Sequence, residues 1–287
     1  MEQKISFASA GNTLRGTLHI PEGVGRTRPA LIQCHGFGGS SSGAGHPELA
    51  RALQRAGYIV LRFDFRGCGE SDGQRGDVIC LEEVEDLRRA IDFLGAQPGV
   101  DENHIGVIGA SLGGAVVLYV TATDPRVQVC AANGAVANGE RRFRFQYPDG
   151  AQWQSFLDRL DEAKRYRQQT GKSRMLNRFE IVYIPEHSRK GLPPGAIMEF
   201  TAETAMSMIE FNPERLVRRI APRPLLLIHP RGDEVVPKSE SEKLAAAAGQ
   251  PCELHIIDTT DHFGSGDPKL QKITLDWLAR YLPAQAG

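Results

Sequence analysis

Apolar residues along this chain come in short bursts, and their spacing switches between two periods. Ile5, Phe7, Leu14, Leu18 and Ile20 are spaced as in two short strands folded about the turn signal Ala10-Gly11-Asn12. The run ALIQCHG at 30–36 ends in glycine and predicts a buried strand that stops at a loop. A helix is expected around 46–56, and YIVLRFDF at 58–65 is another strand. In 81–94, Leu81, Val84, Leu87, Ile91 and Leu94 recur at helical spacing on one face. Strand HIGVIGAS at 104–111 leads into helix 112–123, and strands follow at 127–135, 224–230 and 252–258. The remaining helices are expected at 238–248 and roughly 268–282.

Short apolar strands alternating with helices imply βαβ units and a mainly parallel sheet covered on both faces. Right-handed crossovers then bring all the strand C-terminal ends to one edge. In open α/β sheets ligands bind at that edge, so the residues just after each strand are the ones that matter. The rhythm breaks between 137 and 212, where helical patterns run over 153–169 and near 202–210 and the stretch PEHSRKGLPPG reads as loop. This segment leaves after one core strand and returns before the next. It is therefore expected to sit over the strand edge as a helical cap (137–212) on a core made of 1–136 and 213–287.

Composition narrows the function classes. The chain has 287 residues, 41% hydrophobic and 24% charged, within the range of one large globular domain with an insertion. Its formal net charge is -1, which gives no footing for nucleic acid. No stretch approaches the ~20 uninterrupted apolar residues of a membrane span. The N-terminal residues MEQKISFASAGNTLRG hold no apolar run of signal-peptide length, so the expected placement is cytoplasmic. The five cysteines, Cys34, Cys68, Cys80, Cys130 and Cys252, form no CxxC pair and cannot all be bridged. Neither a disulfide framework nor a metal site is expected.

The chemistry centres on Gly109-Ala110-Ser111-Leu112-Gly113-Gly114, a G-x-S-x-G sequence between a predicted strand and a predicted helix. The turn must be sharp to lift the Ser111 hydroxyl above the sheet. A side chain two positions before or after the serine would clash there, hence glycine at 109 and 113. The helix beginning at Leu112 aims its N-terminal N–H groups at the same place.

Together with HGFGG at 35–39 and DFRGCGESDG at 64–73, GASLGG resembles the α/β-hydrolase superfamily of esterases, lipases and peptidases. The resemblance covers roughly 12–136 and 213–283 but not the cap. Within the superfamily, HGFGG and the inserted cap are most similar to bacterial feruloyl/cinnamoyl-type esterases. It implies the α/β-hydrolase fold, with a mainly parallel eight-stranded sheet flanked by helices, and no cofactor.

A serine hydroxyl needs a neighbouring base. Of the eight histidines, His19, His104, His229 and His255 lie in or at the start of strands, where structural or surface roles are expected. His46 precedes a helix and His187 lies in the cap loop. His262 follows the last strand, at the ligand edge, where the family carries its histidine. The partner acid is offered by Asp233 and Glu234, just past a strand, with Asp258 as a further fallback. The family's G-D-x-x-V/I-P turn selects Asp233. One oxyanion donor is expected from the N–H of Leu112, and the resemblance assigns the other to the N–H of Phe37. His35 reads as a loop organiser. The 64–71 segment reads as a structural loop, and Ser71 and Ser40–Ser42 as loop serines.

The sequence therefore predicts ester cleavage by Ser111, His262 and Asp233 through an acyl-enzyme, acting on a small-molecule ester. Peptidase or amidase chemistry, or acyl transfer to another acceptor, uses the same three residues. A catalytically dead ligand receptor would be expected to lack one of them. The sequence leaves a homo-oligomer open. Between 137 and 200 there are twelve basic and eight acidic side chains, with aromatics at 143, 145, 153, 156, 166, 179, 183 and 200. These either pack onto the core, leaving the arginines solvated, or form an aromatic roof with a basic rim.

Overall fold

The computed structural model describes residues 1–23, 27–43, 45–192, 195–262 and 267–284. In chain order the elements are β1 (Glu2–Ser9), β2 (Asn12–His19), β3 (Arg28–Cys34), α1 (His46–Arg55), β4 (Ile59–Phe63), α2 (Cys80–Gly95), β5 (Val100–Ala110), α3 (Leu112–Thr123) and β6 (Val127–Asn133). Then come α4 (Gly139–Gln146), α5 (Gly150–Thr170), β7 (Met175–Asn177), α6 (Arg178–Ile181), β8 (Glu199–Thr201) and α7 (Ala202–Glu210). The chain continues through β9 (Leu225–Pro230), α8 (Ser239–Ala247), β10 (Cys252–Ile257) and α9 (Pro268–Tyr281).

Eight strands form one sheet in the order β1-β2-β4-β3-β5-β6-β9-β10. The β1–β2 hairpin is antiparallel and β2 joins β4 antiparallel, while every pairing from β4 to β10 is parallel. The hairpin turns through Ala10 (φ 45°) and Gly11 (φ 83°), both left-handed, as a turn matched to strand twist requires. Alternate residues of the central strands feed two cores. Ala30, Ile32 and Cys34 of β3 pack on the side of α2 and α3, whereas Leu31 packs with Leu49, Leu53, Trp277 and Leu278 of α1 and α9. Burial on both faces is why these strands read as continuous apolar runs rather than alternating ones.

The order contains a reversal that places the site. After β3 the chain steps outward to β4, then returns to the other side of β3 as β5. The carboxyl ends of β3 and β5 thus flank the sheet's switch point, where the loops leave in opposite directions and open a crevice. The loop after β3 and Ser111 after β5 both start there.

Two details depart from the sequence reading. Leu81 is not on the buried face of α2; it is 58% exposed, whereas Val84, Leu87, Ile91 and Leu94 are buried. At about 100° per residue Leu81 lies about 100° from the centre of the arc those four residues span. Strand β5 begins at Val100, earlier than the apolar run, because Val100 pairs with Arg28 before a register shift. The intervening Asp101–His104 are polar and largely exposed, and give no apolar signal.

Among the described residues the segment between β6 and β9 folds as three longer α-helices, a short one, a two-stranded ribbon and 3-10 turns. Helix α5 spans the expected 153–169, capped by Asp149 at its start and a left-handed Gly171 at its end. Helix α4 and the β7–β8 ribbon had no pattern to announce them: α4 is eight mostly polar residues and the strands are three residues each. The stretch from 185 contains a 3-10 turn at Glu186–Gly191. Hydrogen bonds tie the segment to the loop before α2: Thr201 N–H to the Gly76 carbonyl at 2.8 Å, Val78 N–H to Thr204 Oγ1 at 2.9 Å and Cys80 N–H to Ser207 Oγ at 2.9 Å. Phe143, Tyr147, Trp153 and Phe156 stack among themselves inside it. Arg144, Arg159 and Arg167 form surface pairs with Glu140, Glu180 and Glu203. Most of the aromatic and basic side chains are thus engaged in packing or surface pairing. Two arginines, Arg142 and Arg178, are buried instead.

Four cysteines are buried and Cys252 is half-buried, all as free thiols. Among the described residues no helix is long and apolar enough to cross a membrane, and no group of His, Cys, Asp and Glu side chains is arranged to hold a metal ion.

Candidate active site

Ser111 sits between β5 and α3 at φ 54°, ψ -120°, a left-handed conformation for a residue with a side chain. Such backbone costs about 1–3 kcal/mol and persists only where its surroundings enforce it. The surroundings here are glycines. A Cβ on Gly109 would run into the Gly113 carbonyl, and one on Gly113 into the His35 carbonyl. The Ser111 N–H is held by the Asn133 carbonyl of β6 at 2.8 Å. The turn is therefore locked on both sides, and the hydroxyl stands at the top of the sheet.

His262 and Asp233 converge on it. His262 Nε2 lies 3.0 Å from Ser111 Oγ, and His262 Nδ1 lies 2.6 Å from Asp233 Oδ2. Asp233 Oδ1 accepts the backbone N–H groups of Val235 (2.8 Å) and Val236 (2.9 Å), so the turn after β9 holds the carboxylate in place. Burial works to raise the Asp233 pKa, but the hydrogen bonds from His229 and His262 and the Val236 N–H overcome it and hold the group well below the usual carboxylate range. An ionised Asp233 can only accept, so His262 carries its proton on Nδ1 and leaves Nε2 bare for the serine hydroxyl. The other acid candidates face solvent. Glu234 is 59% exposed and pairs with His187, and Asp258 is 86% exposed beside Arg231.

The remaining histidines are engaged elsewhere. His35 Nε2 accepts the Phe65 N–H at 3.1 Å, and its Nδ1 meets the Gly36 carbonyl at 2.9 Å. It thereby ties the loop after β3 to the loop after β4. In that second loop Asp64 accepts the N–H groups of Ser41 (2.6 Å) and Glu70 (2.8 Å). His19 bonds Arg62, His46 bonds Gln33, and His104 and His255 pair with Asp101 and Glu253 at the surface.

His229 is the site neighbour whose place the sequence did not reveal. It lies inside β9, fully buried, with Nδ1 2.7 Å from Ser241 Oγ and Nε2 2.9 Å from the Val236 carbonyl. The same Nε2 stands 3.5 Å from Asp233 Oδ2, backing the carboxylate from beneath. The cue was its position four residues before Asp233, which matters only once the strand is known to turn back on itself. Gly134, at φ 55°, passes close under the imidazole: a Cβ there would lie 3.5 Å from His262 Cε1.

On the other side, Gly36 abuts the serine, and a Cβ on it would stand 3.1 Å from Ser111 Cβ. Phe37 and Leu112 flank this contact, one in the loop after β3 and one as the first residue of α3. A strained serine, a histidine and a buried carboxylate in hydrogen-bonded series can generate a nucleophilic alkoxide for attack on a carbonyl carbon.

The profile of the family described as serine aminopeptidase, S33, matches residues 25–269. The chain belongs to this α/β-hydrolase family. Among its relatives, a thiohydrolase of Aspergillus aculeatus is 28% identical over 272 residues, covering 88% of this chain and 84% of the relative. A polyketide transferase of a Penicillium species is also 28% identical over 288 residues, covering 95% and 94%. Solved structures share the fold of this α/β-hydrolase. A hypothetical protein of Pseudomonas aeruginosa superposes with TM-score 0.85 at 24% identity, covering 98% of this chain and 94% of that one. The ferulic-acid-bound Est1E of Butyrivibrio proteoclasticus gives TM-score 0.71 at 19% identity, covering 96% and 97%. The α/β-hydrolase resemblance read from the motifs thus has family support, and the solved structures share its fold.

Proposed function

We propose that this α/β-hydrolase cleaves carboxylic esters, thioesters included, through an acyl-enzyme on Ser111, with His262 as general base and acid and Asp233 as its orienting carboxylate. The observation that carries the reading is the unbroken series Ser111 Oγ, His262, Asp233 at 3.0 and 2.6 Å on a strained strand-to-helix turn. Ser111 Oγ attacks the carbonyl carbon as its proton passes to His262 Nε2. The oxygen that becomes negative rests on the N–H groups of Phe37 and Leu112, each contributing about 3 kcal/mol of transition-state stabilisation. His262 then protonates the leaving group, and water repeats the sequence to free the acid. The segment 137–212 acts as the cap that bounds the acyl pocket.

The leaving group separates this reading from its rivals. A thiolate departs readily, an alkoxide needs the His262 proton, and an amine needs it most. The test is a panel with one acyl group presented as oxygen ester, thioester and amide, with an alcohol acceptor added in parallel. The expected result is turnover of both esters and a far slower amide. An amide cleaved at comparable kcat/KM would replace the esterase reading with a peptidase one. The relatives named thiohydrolase and polyketide transferase favour one second reading, acyl transfer from a thioester. Partition of the acyl group to the added alcohol rather than to water would establish it.

A further inference from the structure

Arg178 opens α6 in the inserted segment and is only 5% exposed. Its Nη2 donates to the Phe37 carbonyl at 2.9 Å and its Nη1 to the Ile197 carbonyl at 3.0 Å. The guanidinium carbon stands 5.3 Å from the Phe37 ring centroid and 5.7 Å from that of Phe200. Those two rings stack at 4.3 Å. Gly38, against Phe200 and Arg178, is left-handed at φ 53°, and a Cβ there would come within 2.6 Å of Phe200 and 3.3 Å of Arg178 Nη1. Among the described residues no carboxylate pairs with Arg178, and its Nε has no hydrogen-bond partner. Burial draws its pKa down to about 10, which still leaves it charged at neutral pH.

A buried cation without a counter-ion is costly, and two neutral carbonyls could be served by an uncharged amide. What is unusual is the carbonyl it holds. The Phe37 N–H lies in the peptide plane that also carries the Gly36 carbonyl. That carbonyl is already pinned by the Gly39 N–H at 3.0 Å and by His35 Nδ1 at 2.9 Å. The next plane carries the Phe37 carbonyl, and Arg178 pins it from above. Both planes flanking the Phe37 Cα are therefore clamped, one from the core and one from the insertion.

We propose that Arg178 is a positioning residue for the oxyanion hole: it fixes the turn that aims the Phe37 N–H above Ser111 and places a desolvated positive charge behind the forming oxyanion. The proposal rests on the assignment of Phe37 as an oxyanion donor. It makes the insertion a working part of the catalytic machinery as well as a pocket wall. Because the charge is buried, its effect should vary little with ionic strength.

The experiment compares wild type, Arg178→Met, Arg178→Lys and a surface control, Arg165→Met, with active sites counted by fluorophosphonate titration. For Arg178→Met, kcat per titrated site is expected to fall about ten- to hundredfold, a fraction of the loss on deleting a whole oxyanion donor. KM should change less than about threefold, as for an interaction made mainly in the transition state. Inhibition by a trifluoromethyl ketone, which forms an oxyanion on the serine, should weaken in step with kcat/KM, while binding of the product acid should not. Arg178→Lys, which keeps the charge but loses the fork, should fall between Arg178→Met and wild type, and Arg165→Met should match wild type. If Arg178→Met does not fold, Arg178→Lys carries the same comparison. Unchanged kcat per titrated site, with only the titratable fraction or Tm reduced, would reduce Arg178 to a structural role and overturn the proposal. Full activity in Ser111→Ala would instead remove the reading beneath it.

Discussion

Ser111→Ala is expected to lower kcat for ester cleavage by about 10⁴–10⁶-fold while leaving Tm and the circular dichroism spectrum unchanged. The size of the loss follows from the single point of attack. His262 Nε2 lies 3.0 Å from Ser111 Oγ, and the tight turn that Gly109 and Gly113 permit sets that hydroxyl beside the base. The fold should survive because among the described residues the hydroxyl bonds only His262, and the backbone is held by Asn133, Gly109 and Gly113 rather than by the side chain. The check is a progress curve on the best substrate of the ester panel, with the two proteins at matched concentration. A loss below tenfold would mean that the chemistry is done elsewhere in the molecule.

Asp233→Asn should cost about 10³–10⁴-fold in kcat, with KM close to wild type. The neutral amide can still accept on its oxygen but no longer stabilises a protonated His262. Its NH₂ would also favour the tautomer that puts a proton on Nε2, where the serine hydroxyl needs an acceptor. Glu234→Gln, one residue along, is expected to stay near wild type because that side chain faces solvent beside His187. Measuring both variants separates the two candidates. A crippled Glu234→Gln with an active Asp233→Asn would move the acid by one residue.

The chain's own pattern carried the architecture and pointed to the residues that meet at the strand edge. Strands buried on both faces read as apolar bursts, so β3, β4, β5, β6, β9 and β10 were visible. The elbow needed glycines at 109 and 113 for reasons of space alone. Asp233 and His262 lie at strand ends, where the fold class directs attention, and the family's turn pattern chose between Asp233 and Glu234. What stayed hidden was what depends on contacts between elements. Leu81 matched the helical period yet lies outside the buried arc of α2. Helix α4 and the β7–β8 ribbon are too short and polar to generate a periodic signal. His229 looked like one more strand histidine until the β9 turn folded Asp233 back over it. Arg142 and Arg178 were two of twelve basic side chains in a segment where the rest are mostly solvated, and no local pattern marks an arginine for burial.

The central claim, that Ser111 is the activated nucleophile of an ester-cleaving α/β-hydrolase, is tested most directly by a fluorophosphonate probe followed by peptide mass spectrometry. One adduct per chain is expected, on the peptide containing Ser111, formed at a rate that collapses in His262→Ala and is absent in Ser111→Ala. Adducts on another serine of active protein, or an active enzyme that the probe leaves unlabelled, would contradict it.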